Sequence, residues 1–349
     1  MNELMLGDRR IGPGHAPLVI AEIGINHEGD LSKALKMIED AAAVGAECVK
    51  LQTHVVEDEM IPNDVIPGNA DESIWDIMSR CALTEGEERT AKARAEELGL
   101  LYLSTPFSRA AADRLEGMDL PGYKIGSGEC NNYPLIEHIA GFGKPVILST
   151  GMNDLASITP AVEILRSAGV PFALLHCTSM YPTPYDRVRL GALEDLRNAF
   201  PDTPLGLSDH SLGNYTCFAA VALGACILEK HFTSDLSWPG PDVPISIDPD
   251  GLRDLVRGTR AVHDALGGSK TVLPEEQPTI DFAYASVVAI RDIRAGEPFS
   301  RDNIWVKRPG SGEIRAHDFD RVIGRSATTA ISRNSQLAWD DVDGGEPVR

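Results

Sequence analysis

The feature that most constrains this chain is a rhythm: from Pro17 to about residue 270, eight short apolar runs alternate with longer stretches of helical periodicity. The runs are PLVIAEIG from Pro17, ECVKLQTH from Glu47, LLYLSTPF from Leu100 and GYKIGSG from Gly122. KPVILSTG from Lys144, PFALLHCT from Pro171, PLGLSDH from Pro204 and CILEKHF from Cys226 complete the set. Short apolar runs separated by helical patterns read as parallel βα units. Eight such units over roughly 250 residues predict an α/β chain folded as a TIM (β/α)8 barrel. An open doubly wound sheet is the alternative, but it has less reason to stop at eight strands. The intervening segments fit helices: Leu31, Ala34, Leu35, Ile38, Ala41 and Ala42 share one face, and Thr84 with Glu87 forms a capping box.

The barrel is expected over residues 1–270. TVLPEEQPTID, from Thr271 to Asp281, has two prolines and a cluster of acids and reads as a linker. A small β-rich domain is expected from Phe282 to the end, residues 282–349. It carries an internal repeat: Ile293, Gly296, Phe299, Asp302 and Ile304 recur at identical spacing as Ile331, Asn334, Leu337, Asp340 and Val342. Two halves of that kind can pack about a pseudo-twofold axis. Between them, WVKRPGSGE from Trp305 contains the cationic turn Arg308-Pro309-Gly310, which taken alone reads as a solvated loop.

Charge narrows the function. Acidic residues outnumber basic ones 52 to 32, a net charge of −20, so the field of the whole molecule repels polyanions and argues against nucleic acid as a partner. An anionic substrate therefore needs cations concentrated locally. The opening MNELMLGDRRIGPG lacks the apolar run of a signal peptide, and no later stretch approaches the roughly 20 apolar residues of a membrane span. A cytoplasmic location with no membrane partner is expected. The six cysteines form no C-x-x-C pair, and several lie in strand-like runs, so buried thiols are expected.

In a TIM barrel the chemistry comes from the C-terminal ends of the strands. Polar residues occur at nearly every such end here: Glu22, Lys50 with Gln52, Ser104 with Thr105, and Lys124 with Ser127. Ser149, His176 to Thr178, Ser208 with His210, and Glu229 with His231 follow. Burying an unpaired ammonium is costly, so Lys50 and Lys124 suggest an anion between them. A structural ion pair with Glu22 or Glu129 is the plain alternative, and a Schiff-base lysine a second functional one. His210 and His231 close adjacent strands and are candidate metal ligands. Two imidazoles with oxygen donors nearby suit an open, exchangeable Mn²⁺ or Mg²⁺ site better than closed structural zinc.

IAEIGINHEGD (Ile20), VKLQTH (Val49), STPFSRAA (Ser104), YKIGSGECNNYPLI (Tyr123), LLHCTSMYPTP (Leu174), GLSDHS (Gly206), HF (His231) and PGPD (Pro239) together resemble the bacterial sialic acid (N-acetylneuraminate) synthases over nearly the whole chain. DFAYASVVA (Asp281) and NIWVKRPGSGE (Asn303) resemble the antifreeze-like (SAF) domain that follows the barrel in that family. The resemblance implies a domain-swapped homodimer that condenses phosphoenolpyruvate with an N-acetylmannosamine-type sugar. It assigns Lys50, Thr105, Lys124, Ser127, Ser149 and Ser208 to phosphoenolpyruvate. His210 and His231 would hold a divalent metal, Mn²⁺ first, with Mg²⁺ or Co²⁺ as alternatives. Glu129, Tyr181, Asp242, Phe282 and Arg308 would meet the sugar, Arg308 being delivered by the partner subunit, with Gln52 and Glu22 lining the same pocket. Ser179 departs from the asparagine common in the close sialic acid synthases, which opens the alternative of a legionaminic or pseudaminic type of sugar.

The implied chemistry is attack of C3 of phosphoenolpyruvate on a metal-polarised sugar aldehyde, followed by oxocarbenium character at C2 and addition of water. Phosphate then leaves by C–O cleavage. Glu22 is the candidate to orient or deprotonate the water, with a structural role beside a lysine as the alternative. A Schiff-base barrel lyase and a non-catalytic sugar-binding module are the remaining rivals.

Overall fold

The computed structural model describes residues 3–345 and divides into two units, Met1–Gly267 and Gly268–Arg349. The first unit is built on eight parallel strands: β1 (Leu18–Gly24), β2 (Cys48–Thr53), β3 (Leu101–Pro106), β4 (Tyr123–Ile125), β5 (Val146–Ser149), β6 (Phe172–Cys177), β7 (Leu205–Asp209) and β8 (Ile227–His231). Each coincides with one of the eight apolar runs. The hydrogen-bonded order is β3-β2-β1-β8-β7-β6-β5-β4, and β3 and β4 lie side by side, so the sheet curls into a TIM barrel.

Alternation along the strands sorts the side chains into two cores. Facing outward, Val19, Ala21, Val49, Leu51, Tyr102, Leu148 and Leu174 pack under the helices. The helix Leu31–Ala43 shows how: Asp30 caps it by accepting from the Ser32 N–H at 2.8 Å, and it buries Ala34, Met37, Ile38 and Ala41. The next long helix, Glu85–Glu97, starts at the anticipated Thr84/Glu87 capping box. Facing inward, Ile20, Leu103, Ile147, Leu175 and Ile227 form a second, separate cluster. Leu4, Leu6 and Ile11 join that inner cluster from an antiparallel pair, Leu4–Leu6 with Arg9–Ile11, which stoppers the N-terminal end. The inside is tight: a Cβ on Gly206 would lie 2.4 Å from the Ile227 carbonyl oxygen and 2.5 Å from a Leu175 methyl. All six cysteines are free and buried.

In the second unit, β9 (Ser286–Ala289) pairs antiparallel with β10 (Ile304–Lys307). The internal repeat is visible as structure. Ile293 and Ile331 exchange backbone hydrogen bonds in both directions, each 2.9 Å, as residues on a local twofold axis must. Gly296 and Asn334, equivalent in the repeat, both take positive φ, 79° and 66°. Ile293, Phe299 and Ile304 meet Ile331, Leu337 and Val342 in one buried cluster.

The segment 271–281, read from the sequence as a linker, carries regular structure. A 3-10 turn, Pro274–Glu276, leads into a helix, Gln277–Ala283. Pro274 and Pro278 occupy first-turn positions, where the missing N–H has no intrahelical partner to lose, so they start structure here rather than break it. Among the described residues no helix is long and apolar enough to cross a membrane.

Candidate active site

Above the apolar inner layer, one turn of inward-facing positions is polar. Glu22 and Lys50 are register partners on β1 and β2, and His231 and Glu22 on β8 and β1. The Lys50 ammonium lies 2.7 Å from Glu22 Oε2 and donates to Thr105 Oγ1 at 2.9 Å. Lys124 donates to Ser149 Oγ at 2.7 Å. Glu229 sits between the two lysines, 3.9 Å from Lys50 and 3.5 Å from Lys124, and accepts from Ser208 Oγ at 3.0 Å. Gln52 Nε2 donates to Glu22 Oε1 at 3.0 Å. The result is a buried quartet of two cations and two anions at the C-terminal mouth.

The quartet's electrostatics are asymmetric. Burial pushes the Glu22 carboxyl above its ordinary value, and Lys50 only partly opposes this. Glu229, equally buried, is held below its ordinary value because both lysines and Ser208 face it. Burial depresses Lys124, while the attraction of Glu22 and Glu229 outweighs burial at Lys50 and raises it. Two neighbouring carboxyls are thus driven in opposite directions, Glu22 up and Glu229 down.

A cavity of about 360 Å³ opens over the quartet. Its wall contains Glu22, Lys50, Gln52, Thr105, Lys124, Ser127, Ser149, Ser179, Tyr181, Ser208, His210 and His231 of the residues singled out in the sequence. Asp242 lines an adjoining cavity of about 280 Å³ that shares Gln52, Tyr181 and His231 with the first. Glu129 stands outside both walls, its carboxylate accepting from Asn132 and raised in pKa by burial. Phe282 and Arg308 belong to the second unit, where both are exposed. There the loop around Arg308 is held by Gly310 N–H donating to the Asp281 carbonyl at 2.8 Å and Gln336 Nε2 donating to the Pro309 carbonyl at 3.0 Å.

His210 and His231 lie with ring centroids 5.3 Å apart, and the Tyr181 ring lies 4.3 Å from that of His210, tilted by 32°. His210 Nδ1 donates to the Thr178 carbonyl at 3.0 Å, which leaves Nε2 to face the cavity chemistry. Burial opposes charge on His210, yet Cys177 Sγ, 3.7 Å away, and the Thr178 carbonyl pull its pKa up to about 9. His231 is pushed well below its ordinary value, first by burial and then by His210, so it stays neutral. Its Nδ1 is buried without a hydrogen-bond partner, 3.8 Å from Asp242. An unpartnered imidazole nitrogen beside a position that favours positive charge fits a cation held by two imidazoles. Among the described residues no group of three or more His, Cys, Asp and Glu is arranged as a metal cage.

Behind these histidines, on the outward face, Lys230 and Asp209 form a fully buried ion pair at 2.7 Å. Sequence reasoning grouped polar strand-end residues without regard to parity. Ser104 turns outward to Thr53, 2.7 Å away, and His176 to the Val188 carbonyl at 2.6 Å. Reasoning from sequence also missed the bridging place of Glu229, although the i, i+2 spacing of Glu229 and His231 puts both on the inner face. Pro67, Asn69, Phe107 and Met152 complete the cavity from loops whose sequence carries no comparable signal.

Comparison with known proteins identifies the family. The NeuB family matches residues 37–271, and the SAF domain matches 284–343. The chain is 38% identical to the N,N'-diacetyllegionaminic acid synthase of Campylobacter jejuni over 89% of its own length and 96% of that protein. It is 31% identical to human N-acetylneuraminate-9-phosphate synthase over 96% and 95% of the two chains. Among solved structures, the N-acetylneuraminic acid synthetase of Leptospira borgpetersenii, in complex with citrate, superposes with a TM-score of 0.73 at 34% identity, covering 80% of this chain and 95% of that one. With its eight-stranded barrel, polar inner layer and trailing repeat domain, this chain belongs to the NeuB family and carries a SAF domain after the barrel.

Proposed function

We propose that this chain condenses phosphoenolpyruvate with the open-chain form of an N-acetylmannosamine-type sugar, giving N-acetylneuraminate and phosphate by C–O cleavage. The observation that carries the reading is the buried quartet of Lys50, Lys124, Glu22 and Glu229 at the mouth of the barrel, ringed by hydroxyls. A small polyanion is the ligand such a layer suits. It would bring negative charge to two lysines whose ammonium groups are otherwise satisfied by carboxylates and hydroxyls of the same layer, partners that phosphate oxygens can replace. Thr105, Ser127, Ser149 and Ser208 supply neutral donors around them.

As C3 of phosphoenolpyruvate bonds to the sugar aldehyde, positive charge develops at C2. Glu229, the carboxylate held in its charged form, faces that charge. Glu22, the more basic of the two, takes the proton of the water that adds to C2. Lys50 then receives a Glu22 that is neutral, and Lys124 with Ser149 retains the departing phosphate. A divalent ion, Mn²⁺ before Mg²⁺ or Co²⁺, held by His210 and His231 would supply Lewis acidity at the aldehyde oxygen. The sugar would extend toward Tyr181, Gln52, Ser179 and Asp242 in the two adjoining walls, with Glu129, outside both, as a further candidate. In a domain-swapped homodimer, Arg308 and Phe282 of another copy would close over the N-acetyl group. A cytoplasmic setting, where phosphoenolpyruvate is available, accords with this chemistry.

A second reading, a legionaminic or pseudaminic type of synthase taking a different N-acetylated sugar, is favoured by Ser179 in the cavity wall and by the similarity to the Campylobacter legionaminic enzyme. Phosphate release from phosphoenolpyruvate against a panel of N-acetylated hexosamines separates the two. The proposal expects release with N-acetylmannosamine. Release with a diacetamido sugar alone selects the second reading, and release with none rejects both.

A further inference from the structure

Glu22 does not stand alone. Behind it runs a chain of hydrogen bonds that leads out of the cavity through β2. Gln52 Nε2 donates to Glu22 Oε1 at 3.0 Å, while the amide oxygen of the same Gln52 faces His54 Nε2 at 3.2 Å. His54 Nδ1 faces Glu59 Oε2 at 2.7 Å. His54 is buried, and its ring stacks on Phe107 of the cavity wall, centroids 4.7 Å apart and planes 10° from parallel. Glu59 ends the short helix Val56–Glu59, which is itself anchored where Asp58 accepts from the Ala110 N–H at 2.8 Å.

The polarity of this chain is fixed from one end. A primary amide has a donor side and an acceptor side of nearly the same shape, and nothing in its own packing tells them apart. Glu22, whose other oxygen is taken by Lys50, presents an acceptor, so Gln52 must show it the NH₂ group. The Gln52 oxygen then needs a donor, which His54 Nε2–H supplies; donation of Nδ1–H to the Glu59 carboxylate as well makes the ring the doubly protonated imidazolium, held by an acceptor at each nitrogen. Without that donor the amide can turn over, and its oxygen would face the Glu22 carboxylate, losing one hydrogen bond and adding repulsion.

We infer that His54, backed by Glu59, is a positioning residue that locks the amide of Gln52 and thereby aims the Glu22 carboxylate at the reacting water. It acts through Gln52 rather than on the reacting atoms, although it and Glu59 stand in the wall of the adjoining cavity beside Asp242. The inference rests on Glu22 acting as the base under the proposed function, and it assigns a role to a histidine and a glutamate that neither the strand-end pattern nor the family resemblance singled out.

Two replacements of His54 separate this role from mere packing. His54→Phe keeps the stack on Phe107 and removes both donors. His54→Gln gives up the ring and retains an N–H for the Gln52 oxygen. The inference expects kcat to fall about tenfold or more in His54→Phe, with KM for phosphoenolpyruvate within about twofold, and to recover to within about threefold of wild type in His54→Gln. The opposite order, Phe active and Gln impaired, would overturn it. A second readout needs no turnover. The chain has three glutamines, Gln52, Gln277 and Gln336, so selective heavy-nitrogen labelling gives three side-chain amide signals, with Gln52 assigned from Gln52→Glu. Its amide protons should exchange slowly in wild type and His54→Gln and rapidly in His54→Phe. Equal protection in all three proteins rejects the positioning role. If wild type releases no phosphate with any sugar, the proposed function fails while this exchange measurement still decides the inference.

Discussion

Lys50 and Glu22 are paired at 2.7 Å from adjacent register positions of β1 and β2, with both side chains 3% exposed. A buried pair of this kind is costly to break from one side, because the survivor keeps its desolvation penalty without its partner. Lys50→Met is expected to lower unfolding free energy by about 3 kcal/mol and to abolish turnover. Adding Glu22→Gln should restore much of the stability and none of the activity. Denaturant unfolding of the single and double variants, read as a cycle, checks this; additive losses would show that the two side chains do not act as a pair.

A divalent ion held by His210 and His231, as proposed, would make turnover strictly metal-dependent. Chelation is expected to abolish phosphate release, and added Mn²⁺ or Mg²⁺ to restore it. Binding itself can be followed by titrating Mn²⁺ and reading the free ion by its paramagnetic resonance, where His231→Ala should lose the site. Full activity of His231→Ala in metal-free buffer would contradict the assignment.

Glu88 offers a stability test away from the site. It is buried under the helix Glu85–Glu97, both carboxylate oxygens lack a hydrogen-bond partner, and Arg114 approaches only to 3.5 Å. Burial therefore raises its pKa from 4.5 to about 7, against the weaker pull of Arg114. A carboxyl whose folded pKa is raised contributes stability below its unfolded pKa and loses it as pH climbs through the folded value. Stability should thus decline between about pH 4.5 and pH 7 on account of this group. Glu88→Gln is expected to be more stable than wild type at pH 8 by on the order of 2 kcal/mol, with the gap closing near pH 4. Thermal melts of both proteins across that range measure it, and a pH-independent gap would be the contrary result.

The proposed swapped dimer predicts complementation. Arg308→Ala and Lys124→Ala should each be nearly inactive alone. In a mixed dimer one site regains both an intact barrel and an intact Arg308, while the other carries both lesions. With random pairing of equal amounts, half the dimers are mixed and each has one good site of two, so roughly a quarter of wild-type activity should return. No recovery, once mass spectrometry has shown the mixed species, would exclude the swap.

The barrel was legible because each strand is a short apolar run and helices such as Leu31–Ala43 have one clean apolar face. The repeat was legible because Gly296 and Asn334 share a backbone conformation that few residues tolerate. Other features were hidden for identifiable reasons. Pro274 and Pro278 signal a break or a helix start depending on position in the first turn, which sequence alone leaves open. Ser104 and His176 sit one residue away from inward positions, and only the strand register sends them outward. Glu229 was visible as a polar strand end, but its place between two lysines depends on β2, β4 and β8 meeting across the barrel. The link from Glu59 through His54 to Gln52 arises from a short helix folding back on its own strand, a turn without a sequence signature.

The central claim is that the buried quartet binds a phosphate ester whose C–O bond breaks while the lysines hold the leaving phosphate. Phosphoenolpyruvate carrying heavy oxygen at the bridge between C2 and phosphorus tests it directly. After one turnover with an accepted sugar in ordinary water, the label should be found in inorganic phosphate, measured by the isotope shift of its phosphorus resonance. Label retained in the sugar acid product would mean P–O cleavage and would contradict the account.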